Sequence, residues 1–326
     1  MMSNTNYVSM GGEQELSSHD LFYGVTNSGR SSLRWILESM DLRGKRVLVP
    51  DFLCQIVLDV LNEYDIEPIF YNVGSDFSYE INNSEALCDA LYVIRYFGED
   101  PEILKAPLTM PTIIDDVFGT EAPTLSGTQP WCYFNSLRKI SAVADYSQVV
   151  STLPLSDVDK VELTNFTEAK YAAKNAKYNY INNGLGEEGD YLDLFADGES
   201  VLNGAELIYQ PSDIGLYHAS NFYRTIEAET QVRRHNLSLA KQLLKPSQYV
   251  DISPKFPSFL PLILGNRDKV RRALMSEGIF LAVHWPETDQ VQNPLSRNIL
   301  SIPLDSRYNQ RDIERVCHLI QELVDE

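Results

Sequence analysis

Pro111-Thr-Ile-Ile-Asp-Asp-Val117 is an apolar run that closes on two carboxylates, and Lys139 follows 23 residues after Asp116. The lysine lies in Asn135-Ser-Leu-Arg-Lys-Ile140, directly after the aromatic-rich segment 131–134. Both runs have the length and composition of short buried strands. The carboxyl ends of parallel strands share one edge of a sheet, and ligands bind at that edge. The sequence therefore predicts that Asp116 and Lys139 lie together at such an edge.

A carboxylate and a lysine in this arrangement can hold pyridoxal 5'-phosphate (PLP). The lysine amine takes the cofactor aldehyde as a Schiff base, and the carboxylate serves as counter-ion to the ring nitrogen. Either residue alone is weak evidence, because an Asp or Lys at a strand end is most often a solvated turn residue. The interpretation therefore depends on the rest of the chain.

Strand and helix patterns alternate through the first two thirds of the sequence. Segments 29–40 and 54–64 place apolar side chains on one face at helical spacing. The predicted strands are short and apolar, at residues 46–50, 68–73, 90–97, 112–117, 131–134 and 148–152. Short apolar strands separated by helices predict an α/β fold with a mainly parallel mixed sheet between helices.

The last third of the chain has a different organisation. Residues 153–215 are more polar, and 217–244 form a long helical pattern that we interpret as a spine helix. Beyond it, strand patterns at 259–264, 279–283 and 299–303 alternate with helical patterns at 268–277 and 311–324. We predict a large domain over residues 1–220, followed by residues 221–326 as the spine helix and a small α+β C-terminal domain.

Composition restricts the possible partners. The chain has 326 residues and a formal net charge of −19, which argues against nucleic acid or an anionic membrane, since both require a basic face. Four scattered cysteines without CxxC spacing indicate neither a metal site nor a disulfide framework. Residues 1–16 do not resemble a signal peptide, and no apolar stretch approaches the ~20 residues that span a bilayer. We expect a cytoplasmic protein in a reducing compartment.

Thr26-Asn-Ser-Gly-Arg-Ser-Ser-Leu33 has the features of an anion site at the start of the first helix. Ser28 is a candidate N-cap, and Gly29 lets the backbone approach a phosphate closely. Arg30 and Ser31 place their amides in the first turn, where the helix dipole favours negative charge. The alternative is an ordinary N-cap without a ligand.

The motifs occur in the order and spacing of a known family. The matching segments are 28–31, 47–54, 114–117 and 136–139 in the first domain, with 266–279, 283–286 and 300–304 near the C-terminus. Together they resemble the DegT/StrS-like sugar aminotransferases, which are fold-type-I PLP enzymes. The resemblance covers roughly residues 20 to 322.

The resemblance implies a role for each matched residue. Lys139 would form the Schiff base and carry the proton during transamination. Asp116 would keep the ring nitrogen protonated, although a helix cap or salt-bridge partner is the neutral alternative. Ser136 would donate to the phosphate together with the amides of Arg30 and Ser31. The family works as a homodimer with sites shared across the interface.

Three positions depart from the family pattern. Cys54 occupies the position where an aromatic side chain commonly stacks on the cofactor ring. Gly119 replaces the Gln or His that usually contacts the 3'-oxygen of the cofactor. After the lysine the family often has Asp-Gly-Gly, whereas this chain has Asp145-Tyr-Ser147. Because of these three departures, the resemblance does not determine which substrate the chain uses.

Several other residues have two possible roles. His284 can reach a substrate hydroxyl or serve as a structural histidine, and Tyr96 can border the pocket. Arg95 can face a phosphate or carboxylate, although a salt bridge to one of the many acids is the simpler interpretation. The segment 184–189 matches GxGxxG, but it follows a polar run and carries two acids where a pyrophosphate would sit, which argues against a dinucleotide site.

The resemblance implies a PLP-dependent aminotransferase that moves an amino group from glutamate to a nucleotide-linked keto-sugar. The usual setting of the family is surface polysaccharide or secondary-metabolite synthesis. A sister PLP-dependent sugar dehydratase is one alternative, but that branch typically replaces the lysine by histidine, so Lys139 counts against it. A second alternative is a scaffold of the same fold that binds PLP or a sugar nucleotide without turnover.

Overall fold

A computed structural model describes residues 21–81 and 87–325, and its centre is an eight-stranded sheet. The strands of this sheet are β1 (Phe22–Thr26), β2 (Arg46–Pro50), β3 (Glu67–Val73), β4 (Tyr79–Glu80), β5 (Ala90–Ile94), β6 (Thr112–Asp116), β7 (Trp131–Asn135) and β8 (Ser147–Ser151). Their order across the sheet is β1-β8-β7-β6-β5-β2-β3-β4. The strands from β7 to β3 in that order are parallel, and the pairs at both edges are antiparallel. The predicted mainly parallel mixed sheet is confirmed.

Helices cover the sheet and build the C-terminal part. They are α1 (Gly29–Ser39), α2 (Gln55–Glu63), α3 (Thr164–Asn183), α4 (Glu188–Asn203), α5 (Asp213–Leu243), α6 (Arg267–Ser276), α7 (Leu295–Asn298) and α8 (Gln310–Asp325). Two small sheets accompany them, one of β9 (Val161–Glu162) with β10 (Tyr209–Gln210) and one of β11 (Phe259–Ile263) with β12 (Ile299–Pro303). Within the described residues, no helix has both the length and the apolar character needed to cross a bilayer.

Two hydrophobic cores stabilise the fold. The larger one lies on the eight-stranded sheet, where Tyr92 and Tyr133 are among the largest fully buried side chains. The smaller one joins the β11–β12 sheet to α5, α6 and α8 through residues such as Leu262 and Ile320. This second core belongs to the small C-terminal unit that the sequence predicts. The predicted division after residue 220 falls within α5, and the domain boundary itself stays a prediction.

Helix α1 forms where the sequence predicts it, for identifiable reasons. Ser28 caps its first turn by accepting a hydrogen bond from the Ser31 amide, and its apolar stripe is buried against the sheet. Arg34 in the middle of the helix makes two short contacts, of 2.6 and 2.7 Å, with the carboxylate of Glu63 at the end of α2. Its buried guanidinium therefore ties the first two helices together.

Three of the differences from the sequence prediction have a clear physical reason, and the short elements β4, β9, β10 and α7 were also not predicted. Strand β1 was not predicted, because Phe22 and Tyr23 are exposed at a sheet edge and Gly24 interrupts the pattern. Helix α4 was not predicted either, since only three of its residues are buried and its apolar periodicity is weak. The predicted strand 279–283 is wrong: the segment makes one isolated bridge, between Ala282 and Ser301.

The GxGxxG match forms the connection between two helices. Gly184 ends α3 with a left-handed φ of 63°, a conformation that glycine adopts at little cost. Glu187 and Asp190 then make a reciprocal capping box at the start of α4. The segment follows a helix rather than a strand, so it lacks the strand–turn–helix context that a dinucleotide site requires.

Asp145 holds three parts of the large domain together. Its buried carboxylate accepts hydrogen bonds from the hydroxyl groups of Thr167 and Tyr171 in α3, both at 3.1 Å. It also accepts one from the backbone amide of Ser212, at 2.8 Å, directly before α5. The family motif position after the lysine is therefore used here to dock α3 and α5 onto the sheet.

We predict that Asp145→Ala lowers the free energy of unfolding by about 2–4 kcal/mol, because three buried donors lose their acceptor. Urea denaturation followed by circular dichroism measures the change. Asp193→Ala, at an exposed position in α4, is the matched control and should change stability by less than about 0.5 kcal/mol. If the two substitutions lowered the free energy of unfolding equally, the hydrogen bonds of Asp145 would not contribute the predicted stability.

Candidate active site

The sheet order brings the predicted site residues to one edge. Strands β7, β6, β5 and β2 are adjacent and parallel, so their carboxyl ends lie side by side. Lys139 follows β7, Asp116 ends β6, Arg95 follows β5 and Cys54 follows β2. Strand β1 runs in the same direction as β7, since both are antiparallel to β8, and it delivers the start of α1 to the same edge.

A short anchored turn carries Lys139. The turn Leu137–Lys139 is a single 3₁₀ turn whose first residue is fully buried, and the Leu137 amide donates to the carbonyl of Tyr146 at 3.0 Å. Directly after the lysine, the Ile140 carbonyl accepts a 2.8 Å hydrogen bond from the buried guanidinium of Arg233 in α5. These contacts fix the backbone while the lysine side chain stays accessible.

Lys139 is reached by solvent in the single chain, although protein atoms surround it on most sides. The neighbouring Arg138 guanidinium and desolvation lower the pKa of Lys139 to about 8, while Cys54 and Glu199 act in the opposite direction. Arg30 also lowers this pKa, which places the predicted residues Arg30 and Cys54 within electrostatic range of the amine. A lowered pKa means that a larger fraction of Lys139 is the nucleophilic free amine near neutral pH.

Asp116 is fully buried and bound on one side only. The guanidinium of Arg95 donates to its Oδ2, and the Tyr133 hydroxyl lies 3.4 Å from the same oxygen. Burial raises the pKa of Asp116 to about 7, and the charge of Arg95 opposes that rise. Oδ1 is buried and has no hydrogen-bond partner among the described residues. This oxygen is therefore an acceptor in need of a donor.

Asp115 was not singled out by the sequence argument. It points to the opposite face of β6 from Asp116, because consecutive strand residues alternate. Its Oδ2 accepts from the Tyr92 hydroxyl at 2.7 Å and its Oδ1 from the Val117 amide at 3.2 Å. Burial raises the pKa of Asp115 to about 6, and Lys139 is among the groups that lower it. Both oxygens are satisfied, so Asp115 does not offer the open acceptor that Asp116 offers.

Gly119 has a direct steric explanation. A Cβ atom built on it would lie 1.8 Å from Oδ2 of Asp116, so no other residue fits while the carboxylate holds this position. The Gly119 amide also closes the turn after β6 by donating to the Asp116 carbonyl at 2.9 Å. The position of the Asp116 carboxylate therefore explains why this chain has glycine at position 119, where the family usually has Gln or His.

The start of α1 provides the other polar end of the site. The hydroxyl groups of Ser28 and Ser31 both donate to Oδ1 of Asn27, at 2.9 and 2.8 Å, and all three residues are buried. A Cβ on Gly29 would lie 3.7 Å from Cβ of Ser136, so the helix start rests against the residue that follows β7. The predicted residues Gly29, Ser31 and Ser136 are therefore brought together.

Two neighbours complete this end. The Arg30 side chain turns away and donates to the Leu202 carbonyl at 2.9 Å, so only its backbone amide is available to a ligand at the helix start. Nδ2 of Asn27 is buried and has no hydrogen-bond partner in the described part of the chain. The sequence analysis assigned no role to Asn27. Its position directly before the N-cap residue Ser28 is the one sequence feature that could have indicated a role.

Two of the buried atoms without a hydrogen-bond partner match PLP in polarity. Nδ2 of Asn27 is a donor at the helix start, which suits a phosphate, and Oδ1 of Asp116 is an acceptor at the carboxyl end of β6, which suits a protonated ring nitrogen. Lys139 is accessible at the same edge. Ser136 is buried beside Gly29 and makes no capping hydrogen bond to its own turn. The residues present therefore fit the cofactor.

Tyr96 and His284 belong to a cluster of rings between the sheet and the C-terminal part. The cluster contains Phe52, Phe77, Tyr96, Phe97, Phe118, Phe259, His284 and Trp285. Tyr96 is buried, and its hydroxyl donates to the Phe52 carbonyl. His284 pairs through Nδ1 with the Ser301 hydroxyl at 2.9 Å. Burial and the charge of Lys139 lower the pKa of His284 to about 3, so it is neutral and within range of the lysine.

A surface groove of about 1010 Å³ lies along β8, from Tyr146 at this edge of the sheet to Leu153 at the other. Segment 120–131 forms one wall, and Tyr23, Tyr146, Gln148 and Tyr223 are among the other lining residues. None of the predicted site residues lines it. The groove is therefore separate from the Lys139 and Asp116 side chains, and it does not define the site.

Solved structures of aminotransferases share the fold. A DegT/DnrJ/EryC1/StrS aminotransferase from Brucella abortus superimposes with a TM-score of 0.61 at 14% identity, covering 93% of this chain and 86% of its own. Helicobacter pylori PseC, an aminotransferase involved in the biosynthesis of pseudoaminic acid, gives 0.63 at 11%, with 93% and 86% covered. Spr1654 from Streptococcus pneumoniae, assigned as a sugar aminotransferase and solved in its PMP form, gives 0.64 at 12%, with 93% and 88% covered.

These matches confirm the fold that the sequence motifs predict, a PLP-dependent aminotransferase fold of the DegT/StrS type. At such identities they establish the fold alone. No protein-family model and no curated protein sequence matches the chain. The activity must therefore be argued from the site.

We predict that Arg138→Met raises the pKa of Lys139, because Arg138 is the largest contributor to its lowering. Labelling of Lys139 by an amine-reactive reagent at pH 7 should slow roughly threefold to tenfold, since one pKa unit changes the free-amine fraction about tenfold below the pKa. Peptide mass spectrometry quantifies the labelling. Arg43→Met, which removes an exposed arginine over the Tyr64 ring, is the control and should leave the rate unchanged. Faster labelling in Arg138→Met would contradict this account.

Proposed function

We propose that the chain is a PLP-dependent aminotransferase that transfers an amino group from glutamate to a nucleotide-linked keto-sugar. The observation that supports it most is the pair of unmatched buried atoms, Nδ2 of Asn27 and Oδ1 of Asp116, at the edge that also carries Lys139. A buried polar atom without a partner is costly unless a ligand satisfies it. A ligand with an anionic group at one end and an N–H at the other satisfies both.

The chain's own groups divide the binding of such a cofactor among them. The amides of Gly29, Arg30 and Ser31, the Asn27 amide group and the Ser136 hydroxyl would hold the phosphate, because a helix start favours an anion. Asp116 would accept the ring N–H through Oδ1. Cys54, within electrostatic range of Lys139, would lie against the ring where the family commonly has an aromatic residue.

When bound, PLP supplies an electron-accepting ring that stabilises negative charge on the substrate carbon next to the amino group. Lys139 would hold the cofactor covalently and then move the proton to and from that carbon. Its lowered pKa suits both tasks, since the free amine is needed for attack and for proton abstraction. Asp116 would keep the ring nitrogen protonated, and its burial strengthens that interaction by excluding water.

The substrate assignment draws on the solved structures and on local charge. PseC and Spr1654, which share the fold, are an aminotransferase in pseudoaminic acid biosynthesis and an assigned sugar aminotransferase. Near Lys139, Arg138 and Lys170 both contact Glu199 at 2.7 Å, so the cations outnumber the acids at this point of an acidic chain. An anionic substrate would be attracted there. His284 is the proposed substrate-facing residue of the ring cluster, whereas Tyr96 is buried and its hydroxyl donates to the Phe52 carbonyl.

A homodimer is part of the proposal. Large apolar side chains are exposed on β1 and on the first turns of α5, among them Tyr23, Leu216 and Tyr217. The two elements are adjacent, since the Asn27 amide after β1 donates to the Tyr209 carbonyl just before α5. Exposed apolar surface of this kind is typical of subunit contacts.

The four cysteines are unpaired thiols, which supports a cytoplasmic location.

A binding scaffold without turnover is the second candidate. It is favoured by one observation, the ion pair between Arg95 and Asp116, which places a cation next to the carboxylate that would bind the ring nitrogen. If Arg95 neutralised Asp116 completely, PLP would bind without being activated. A yellow protein that does not respond to any amino donor would favour this candidate.

We predict that the purified protein takes up PLP and absorbs near ~410–430 nm, as lysine-bound PLP does. Borohydride reduction followed by peptide mass spectrometry should place the pyridoxyl group on Lys139. Glutamate should bleach the band. Lys139→Ala should abolish the band, and Asp116→Ala should raise the activation free energy of the glutamate reaction by on the order of ~3–5 kcal/mol.

Asp115→Asn is the matched control, because it removes the adjacent charge, keeps Oδ1 as acceptor for the Val117 amide, and places an NH2 group that can donate to the Tyr92 hydroxyl oxygen. It should retain most of the response to glutamate. A protein that stays colourless with added PLP would remove the proposed function. If Asp115→Asn were inactive and Asp116→Asn active, the two carboxylates would have exchanged roles.

A further inference from the structure

Arg95 lies next to Asp116 but does not face a ligand directly. It follows β5, adjacent to the end of β6, and its side chain is 4% exposed. Its Nη1 contacts Asp116 Oδ2 and donates to the Glu121 carbonyl at 3.0 Å, while its Nε lies 2.8 Å from Oδ1 of Asp100. With its side chain buried and its Nη1 bound to Asp116, Arg95 acts on this edge of the sheet through that carboxylate.

The charges around Asp116 form a chain of alternating sign. Asp100, Arg95 and Asp116 lie in sequence, with a net charge of −1. A protonated ring nitrogen at Oδ1 of Asp116 would bring this sum to zero. Desolvation and the nearby Asp115 and Asp100 raise the pKa of Asp116, and the charge of Arg95 opposes them, so loss of Arg95 would raise this pKa further and leave a larger share of the carboxyl group neutral at physiological pH. A neutral Asp116 could not serve as a counter-ion.

The local sterics agree with the electrostatics. The carboxylate that Arg95 holds lies over Gly119, where a side chain at that position would collide with it at 1.8 Å. Arg95 binds Oδ2 and leaves Oδ1 without a partner. Arg95 and Gly119 therefore act together, one by holding the carboxylate and the other by making room for it.

We propose that Arg95 is a positioning residue that favours the ionised form of Asp116 and holds its carboxylate over Gly119, so that Oδ1 can bind the protonated ring nitrogen of the cofactor. This inference rests on the proposed function. It assigns to Arg95 and Gly119 the support of the Asp116 carboxylate. It also answers the scaffold alternative, because the ion pair then preserves the charge of Asp116 toward the cofactor.

The test measures the protonation of the ring nitrogen. PLP labelled with ¹⁵N in the ring is bound to the wild-type protein and to Arg95→Met and Arg95→Lys, and its ¹⁵N chemical shift is recorded. The wild-type protein should give a pyridinium shift. Arg95→Met should move the shift toward neutral pyridine and weaken PLP binding by about tenfold or more, as for loss of a buried charge partner. Arg95→Lys should keep much of the pyridinium ¹⁵N shift and much of the wild-type affinity for PLP.

Gly119→Ala provides a second route if Arg95→Met does not fold. The added methyl group displaces the Asp116 carboxylate without removing any charge, and it should also move the ¹⁵N shift toward neutral pyridine. Arg43→Met is the control for loss of an arginine elsewhere and should behave as wild type. Circular dichroism establishes that each variant is folded.

The outcomes separate the two proposals. If folded Arg95→Met and Gly119→Ala keep the pyridinium shift and the wild-type affinity for PLP, the role of Arg95 is overturned while the proposed function stands. If the wild-type protein takes up no PLP, the proposed function fails and this inference fails with it. If wild-type PLP already has a neutral ring nitrogen, Arg95 masks Asp116 and the inference is overturned.

Discussion

A buried carboxylate that is satisfied on one side only is the feature on which the site depends. Asp116 lies at the end of the central strand β6, where Arg95 binds one of its oxygens and the other has no partner in the described structure. Burying such a group is costly, so its open oxygen indicates a ligand with a donor. The parallel neighbours β5 and β7 then determine what else can reach that ligand, because their carboxyl ends share the same edge.

The electrostatics of this edge separate two kinds of charge. On one side, Arg138 and Arg30 lower the pKa of Lys139, which keeps a share of the amine free near neutral pH. On the other side, Arg95 opposes the effect of burial on Asp116. An amine that loses its proton near neutral pH and a carboxylate whose ionised form is favoured would suit the two ends of the proposed PLP ring. Arginines produce both effects here, although the overall charge of the chain is −19.

The sequence predicted the sheet domain well, because its strands are short continuous apolar runs and its first helix has a clear N-cap at Ser28. Strand β2 and helix α1 were placed nearly residue by residue. Helix α4 and strand β1 were missed because their exposed apolar residues break the periodicity on which prediction relies. The extended segment 279–283 is apolar but pairs only at Ala282, which a sequence pattern cannot reveal.

The candidate site also contains residues that the sequence predicted and residues that it did not. The positions of Lys139 and Asp116 at one edge of the sheet were predictable, since each lies at the end of an apolar strand run, and their roles stay a prediction. The role of Arg95 was open between a ligand and a salt bridge, and only the structure shows that it binds Asp116. Gly119 looked like the loss of a contact, whereas its lack of a side chain makes room for the carboxylate. Asn27 and Asp115 gave no sequence signal, because their significance depends on which hydrogen bonds they make.

The most direct measurement is a crystal structure of the protein grown with PLP. We predict the ring nitrogen within about 2.7–3.2 Å of Oδ1 of Asp116, with the C4' atom bonded to Lys139 and the phosphate at the start of α1. A ring nitrogen paired with Asp115, or PLP bound away from this edge of the sheet, would contradict the account.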